Sequence, residues 1–223
     1  MNPDGPLEVP ETHLDALNTA EFGYPEAKWV CERVGKAAAE LYGQDDALVK
    51  ASSVRIGQMT GPEGSGTWNE SEHFPLLVHS SAAFKVVPAL SGSLSWIPVN
   101  RAGDAITEML FSKTFRPMYH MENPSRQSWE GLIDDLAHIL GGVPKVPFSQ
   151  WLQKVKSAGE GKSPAYRVIN FLENDFVRMS SGRVILRTAE SKLDSPTLVK
   201  STSIDRRHLE EYVAYWRSIG AMQ

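Results

Sequence analysis

Between residues 25 and 41 the apolar positions Trp29, Val30, Val34, Ala37, Ala38 and Leu41 recur at three- and four-residue steps. That period predicts an amphipathic helix with one apolar face. Pro25 is tolerated in its first turn, and Gly43 is a natural stop. Residues 1–21 contain Pro3, Pro6 and Pro10 and predict an irregular lead-in. Residues 53–59 read as a strand with Val54, Ile56 and Gln58 on one face. The glycine-rich stretch over 61–66 then predicts a flexible turn. A helix over 74–87, a short strand over 94–99, a helix over 101–111 and a strand over 118–121 follow.

The remainder is mostly helical. The stretch 125–140 opens on Ser125 as its cap and places Trp129, Leu132, Ile133, Leu136, Ile139 and Leu140 on one face. Helices are expected over 148–158 and 165–179, joined by a polar linker over 157–163. Asp205 caps a last helix carrying Leu209, Tyr212, Val213 and Trp216 and ending at Gly220. Strands alternating with helices, then a helical cluster, predict an α/β fold with a helical C-terminal lobe. No internal repeat or low-complexity tract interrupts the pattern.

Composition narrows the function classes. A formal charge of -4, with acids and bases mixed along the chain, gives no basic footprint for nucleic acid or anionic membrane. Cys31 is the only cysteine, so no intrachain disulfide and no cysteine zinc site can form. No His/Asp/Glu grouping has metal-ligand spacing, and no metal is expected. The polar N-terminus and the absence of a long apolar run predict a soluble protein of the cytoplasm.

Tyr24 and Lys28 are four residues apart, which puts both side chains on one helical face. A Tyr hydroxyl can hydrogen-bond and protonate a carbonyl oxygen, and a neighbouring ammonium favours the phenolate. The alternative is a packed Tyr24 beside a solvated Lys28. His79 and His120 each stand alone, without an acid at triad-like spacing, and read first as structural histidines. Most of the tryptophans must be core, since they bury large area. Where they and the neighbouring polar groups face a pocket, Gln58, Trp68, His79, Trp96 and His120 are the substrate-binding candidates.

Four stretches, in this order, resemble a known family. They are residues 23–32 (GYPEAKWVCE), 54–62 (VRIGQMTGP), 96–100 (WIPVN) and 119–124 (YHMENP), supported by SPTL at 195–198 and YWRSIG at 215–220. The chain from about Phe22 onward resembles the C-terminal part of thioester-reductase domains of fungal nonribosomal-peptide-synthetase-like enzymes, aminoadipate reductases and carboxylic acid reductases. These belong to the extended short-chain dehydrogenase/reductase superfamily. The resemblance implies a truncated Rossmann-like sheet remnant over 22–115 carrying the Tyr-x-x-x-Lys pair. It also implies a helical substrate lobe over 116–223. Tyr24 would be the proton donor and Lys28 its electrostatic partner; Pro25 and Ala27 stand where the family has Gly and Ser.

The family's glycine-rich dinucleotide loop is absent here, and Gly61–Gly66 lies after the catalytic helix rather than before it. The expectation is therefore a cofactor-independent enzyme that binds a hydrophobic polyketide- or terpenoid-like substrate and promotes cyclisation or isomerisation. One alternative is part of an NADPH-dependent thioester reductase, split or truncated. The other is a non-catalytic ligand- or synthase-binding lobe. Loss of half a sheet would expose a strand edge and an apolar face, so a second copy, a partner chain or the lead-in is expected to cover them.

Overall fold

The computed structural model describes residues 6–18, 23–42 and 50–222. Within the lead-in, Leu7–Val9 forms a strand, β1, and Ala16–Asn18 a single 3-10 turn, where irregular backbone is expected from the prolines. Pro6 and Pro10 flank β1 and therefore remove no donor from its ladder. Residues 1–5 and 19–22 and the stop at Gly43 lie outside the described residues.

Then come α1 (Gly23–Tyr42), β2 (Ser53–Ile56), β3 (Met59–Thr60), α2 (His73–Phe84), β4 (Val87–Ala89), β5 (Ser93–Leu94), β6 (Ile97–Pro98), α3 (Val99–Leu110) and β7 (Met118–Met121). There follow β8 (Gln127–Ser128), α4 (Trp129–Ile139), β9 (Lys145–Pro147), α5 (Phe148–Ala158), α6 (Ile169–Asn174), α7 (Phe176–Ser180), β10 (Val184–Leu186), α8 (Ala189–Asp194), α9 (Pro196–Lys200) and α10 (Arg206–Ser218).

The strands pair two by two. β1–β10, β2–β7, β3–β6 and β4–β9 are parallel, and β5–β8 is antiparallel. Two expected strands are each divided between pairs. Residues 53–59 break at Gly57 and Gln58, so that β2 joins β7 while β3 joins β6. Residues 94–99 break at Ser95 and Trp96 in the same way. The expected helix over 165–179 is a 3-10 turn followed by α6 and α7. Helix α4 starts later than expected, because Ser128 accepts from Gly131 N while Ser125 Oγ instead donates to Ser201 O.

Helix α2 is buried from Phe74 to Ser81, on all faces. Its two buried serines are satisfied from neighbouring elements, whereas His79 Nε2 finds no hydrogen-bond partner among the described residues. Ser80 Oγ meets Ser163 Oγ at 2.9 Å and accepts from Ala165 N, and Ser81 Oγ accepts from Trp151 Nε1 at 3.0 Å. Around α2 lies an aromatic core in which Trp68, Phe74, Trp96 and Trp129 pack mostly edge to face, with centroids 4.7 to 5.6 Å apart in the closer pairs. Such pairs add about 0.5–1.5 kcal/mol each beyond their buried area.

Helix α1 is the contrast. None of its residues is fully buried, and its apolar stripe faces outward, with Val30 50%, Val34 62% and Leu41 73% exposed. The amphipathic period predicts the helix correctly, but its apolar face is left exposed among the described residues. No helix of the described residues is long and apolar enough to cross a membrane.

Candidate active site

A groove of about 640 Å³ runs between α1 and β2, with part of the lead-in as a further wall. Val9 and Leu14 line it from the lead-in, Tyr24, Lys28, Cys31 and Glu32 from α1, and Val54, Arg55 and Ile56 from β2. The four-residue spacing on α1 brings the Lys28 ammonium over the Tyr24 ring, 5.1 Å from its centroid. Tyr24 is 70% exposed, so its hydroxyl is free to meet a ligand.

Behind the groove stands a polar relay. Arg55 donates through Nε and Nη2 to the two carboxylate oxygens of Glu32, both at 2.8 Å, a bidentate pair of the strong, orientation-fixing kind. Its Nη1 lies 3.4 Å from His120 Nε2, and His120 Nδ1 lies 2.7 Å from Arg187 O. A carbonyl only accepts, so Nδ1 carries the proton and Nε2 accepts from Arg55. Burial, partly opposed by the bond to Arg187 O, holds the His120 pKa below the ordinary histidine value, in keeping with a neutral ring.

The expected site residues fall into three places. Tyr24 and Lys28 share the groove, and His120 reaches it only through Arg55. Gln58 turns inward, donating Nε2 to Met59 O at 2.6 Å and to Glu72 Oε2 at 3.2 Å. Trp68, Trp96 and His79 belong to the buried core, where His79 packs edge-on against Trp216 at 5.2 Å. Sequence reasoning missed Glu32 and the lead-in wall. Glu32 lies two helical turns from Tyr24, and that period was the available signal.

The dinucleotide that this kind of fold implies needs a glycine-rich turn with free backbone N–H groups. The turn over 61–66 is pinned rather than flexible: Gly64 N donates to Glu211 Oε2 at 2.9 Å and Glu63 N to Asn100 Oδ1 at 3.1 Å. A Cβ at Gly66 would stand 2.2 Å from Glu211 O, and one at Gly61 2.7 Å from Thr67 O. Gly61 and Gly66 serve close backbone packing, and the turn does not fit the phosphates of a dinucleotide. Among the described residues, no group of three or more His, Cys, Asp or Glu side chains is placed to hold a metal ion.

The fold is shared with reductase domains of assembly-line enzymes. The terminal R domain of the myxalamid PKS-NRPS pathway superposes with a TM-score of 0.80 at 20% identity, over 97% of this chain and 55% of that one. An adenylate-forming reductase of Aspergillus terreus is 37% identical over 223 residues, 96% of this chain and 20% of its own length. A 3-methylorcinaldehyde synthase of a Phoma species is 34% identical over 95% of this chain and 8% of its own length. No family model matches the chain. It has the extended short-chain dehydrogenase/reductase fold of thioester-reductase-type domains. More narrowly, its homologues are the C-terminal regions of the reductase domains of fungal polyketide-synthase and nonribosomal-peptide-synthetase-like enzymes. It spans about a fifth or less of the full length of those curated relatives.

Proposed function

We propose that this chain binds an aromatic, polyketide-type carbonyl compound of secondary metabolism in the α1–β2 groove and activates its carbonyl through Tyr24 and Lys28. The observation that carries this reading is the Lys28 ammonium seated over the exposed Tyr24 ring in a groove walled by Val9, Leu14, Val54 and Ile56. The Tyr24 hydroxyl donates to the carbonyl oxygen and passes its proton as negative charge develops there. Lys28 stabilises the resulting phenolate. An internal nucleophile of the substrate closes on the polarised carbon, and the proton it releases returns to Tyr24. The groove contributes by holding the reactive conformer. Cyclisation or isomerisation of this kind needs no cofactor. The aromatic class is suggested by relatives named as 3-methylorcinaldehyde and citrinin polyketide synthases.

A second reading is favoured by the bare apolar face of α1. There the same groove belongs to an NADPH-dependent thioester reductase, with the dinucleotide held outside the described residues. One experiment separates the two. The chain is incubated with an aryl N-acetylcysteamine thioester and with the matching aldehyde, with and without NADPH, and products are read by mass spectrometry. Cofactor-free conversion that falls about 10²–10⁴-fold in Tyr24→Phe supports the first reading. Conversion only with NADPH transfers the function to the second, and absence of both binding and conversion sinks the carbonyl-activating reading.

A further inference from the structure

Helix α1 carries the groove's two reactive groups and yet buries none of its own residues. Among the described residues, two polar contacts tie its side chains to the rest of the chain. One is the Glu32–Arg55 pair; the other is Trp29 Nε1, which donates to Leu14 O at 2.8 Å. Leu14 and Val9 line the groove opposite Tyr24 and Lys28. The segment that holds α1 is thus also a wall of the site.

That segment is anchored at its other end by Glu11. The Glu11 carboxylate accepts from Glu190 N and Ser191 N, each at 2.7 Å, and from Ser191 Oγ. Ser191 Oγ in turn accepts from the backbone N–H of His120 at 2.8 Å, and the His120 ring meets Arg55. Val9 O accepts from Arg187 N at 3.0 Å, and Arg187 O receives the His120 Nδ1 proton. Both ties of α1 therefore lead to one place, the α8 start and β7, one directly through Arg55 and His120 and the other through the strap over residues 9–14.

We infer that the strap over 9–14 is a clamp that sets the position of α1, with Glu11 as a positioning residue for Tyr24 and Lys28 and Leu14 as a residue that shapes the groove for its acyl ligand. The inference rests on the reading of this groove as the substrate site, but its clamp half is physical and testable without a substrate. Replacing a carboxylate that accepts three hydrogen bonds by a methyl group leaves the strap held only at its start, through Val9 O, and loosens Leu14 and with it the Trp29 indole. Small displacements of such groups cost large factors in rate, because reaction needs a near-attack geometry.

The test uses Glu11→Ala, Glu11→Gln and Glu11→Asp in the whole chain. Two readouts are taken: the Trp29 indole N–H resonance, assigned with Trp29→Phe, and amide hydrogen exchange along α1, with α10 as internal reference. In Glu11→Ala the indole signal is expected to move toward the free-indole position, and α1 exchange to rise about tenfold with α10 unchanged. Glu11→Gln, which keeps the shape should the alanine variant fail to fold, gives a smaller change of the same kind, and Glu11→Asp restores the wild-type signal. A merely structural Glu11 would disturb α8 amides alone; an unmoved Trp29 resonance with unchanged α1 exchange overturns the clamp. An aryl N-acetylcysteamine thioester that fails to perturb Tyr24 or Lys28 in the wild type would instead sink the site reading and leave the clamp standing.

Discussion

The Lys28 ammonium lies over the Tyr24 ring one helical turn away, 5.1 Å from its centroid, on a helix that buries no residue of its own. Both groups are presented to the groove rather than consumed by the fold. Tyr24→Phe keeps the ring, and hence the seat of the ammonium, while deleting the hydroxyl. Tyr24→Phe and Lys28→Met should each shift the unfolding free energy by less than about 1 kcal/mol, the range for an exposed cation–π contact. A urea titration checks this, and a loss of activity in either variant can then be assigned to chemistry.

Arg55 behaves differently, since its side chain and that of Glu32 are only 18% and 16% exposed. Removing one partner leaves a poorly solvated charge. Arg55→Met and Glu32→Gln should each destabilise by about 2–3 kcal/mol. The double variant should cost less than the sum of the two, because one interaction is being removed twice. A double-mutant cycle of urea midpoints reads the coupling; strict additivity would show that the pair is not coupled in solution.

Burial lowers His73 and His79 to about 4. The unfolded chain titrates near the ordinary histidine value of about 6.5, so between there and about 4 it binds protons that the folded chain refuses. Stability from these groups is therefore complete above about pH 6.5 and is lost progressively down to about pH 4, by up to about 3 kcal/mol for each group. His79→Leu should remove its own share of the slope, leaving the shares of His73, His120 and His13, which burial also lowers. Unfolding measured from pH 7 to pH 4 in the two proteins decides it, and an identical slope in both would mean that His79 does not titrate there.

The glycine-rich turn offers a matched pair. Gly64 (φ +85°) has open space around its missing Cβ, whereas at Gly66 (φ +65°) that atom would stand 2.2 Å from Glu211 O. Gly64→Ala should cost about 1–2 kcal/mol, the conformational term alone. Gly66→Ala adds a backbone collision with α10 and should cost at least twice as much. Thermal unfolding of the two variants, side by side, tests whether the turn is pinned or loose.

Much of the fold was legible along the chain. The strand Met118–Met121 and the helix Phe148–Ala158 have the expected bounds, and Asp205 caps α10 as expected, with His208 completing a capping box. Each is defined by local period and local capping. The divided strands at Gly57 and at Ser95 were not legible, because a break between two sheet pairs is decided by which distant strand offers an edge. Ser128 displaced Ser125 as the α4 cap for a similar reason: Ser125 Oγ is drawn to Ser201 O, 76 residues away.

For the candidate site, sequence alone determined that Tyr24 and Lys28 would share a helix face, because a four-residue step is a property of the helix and not of its surroundings. It also determined that Cys31 has no cysteine partner within the chain. What lies opposite that face was decided only by tertiary structure. Arg55 and Glu32 meet across 23 residues, Arg55 and His120 across 65, and Glu11 and Ser191 across 180. No local rule connects such positions. The same limit explains Trp68, Trp96 and His79, whose residue types suit a pocket and a core equally well. The all-round burial of α2 beside them decided for the core.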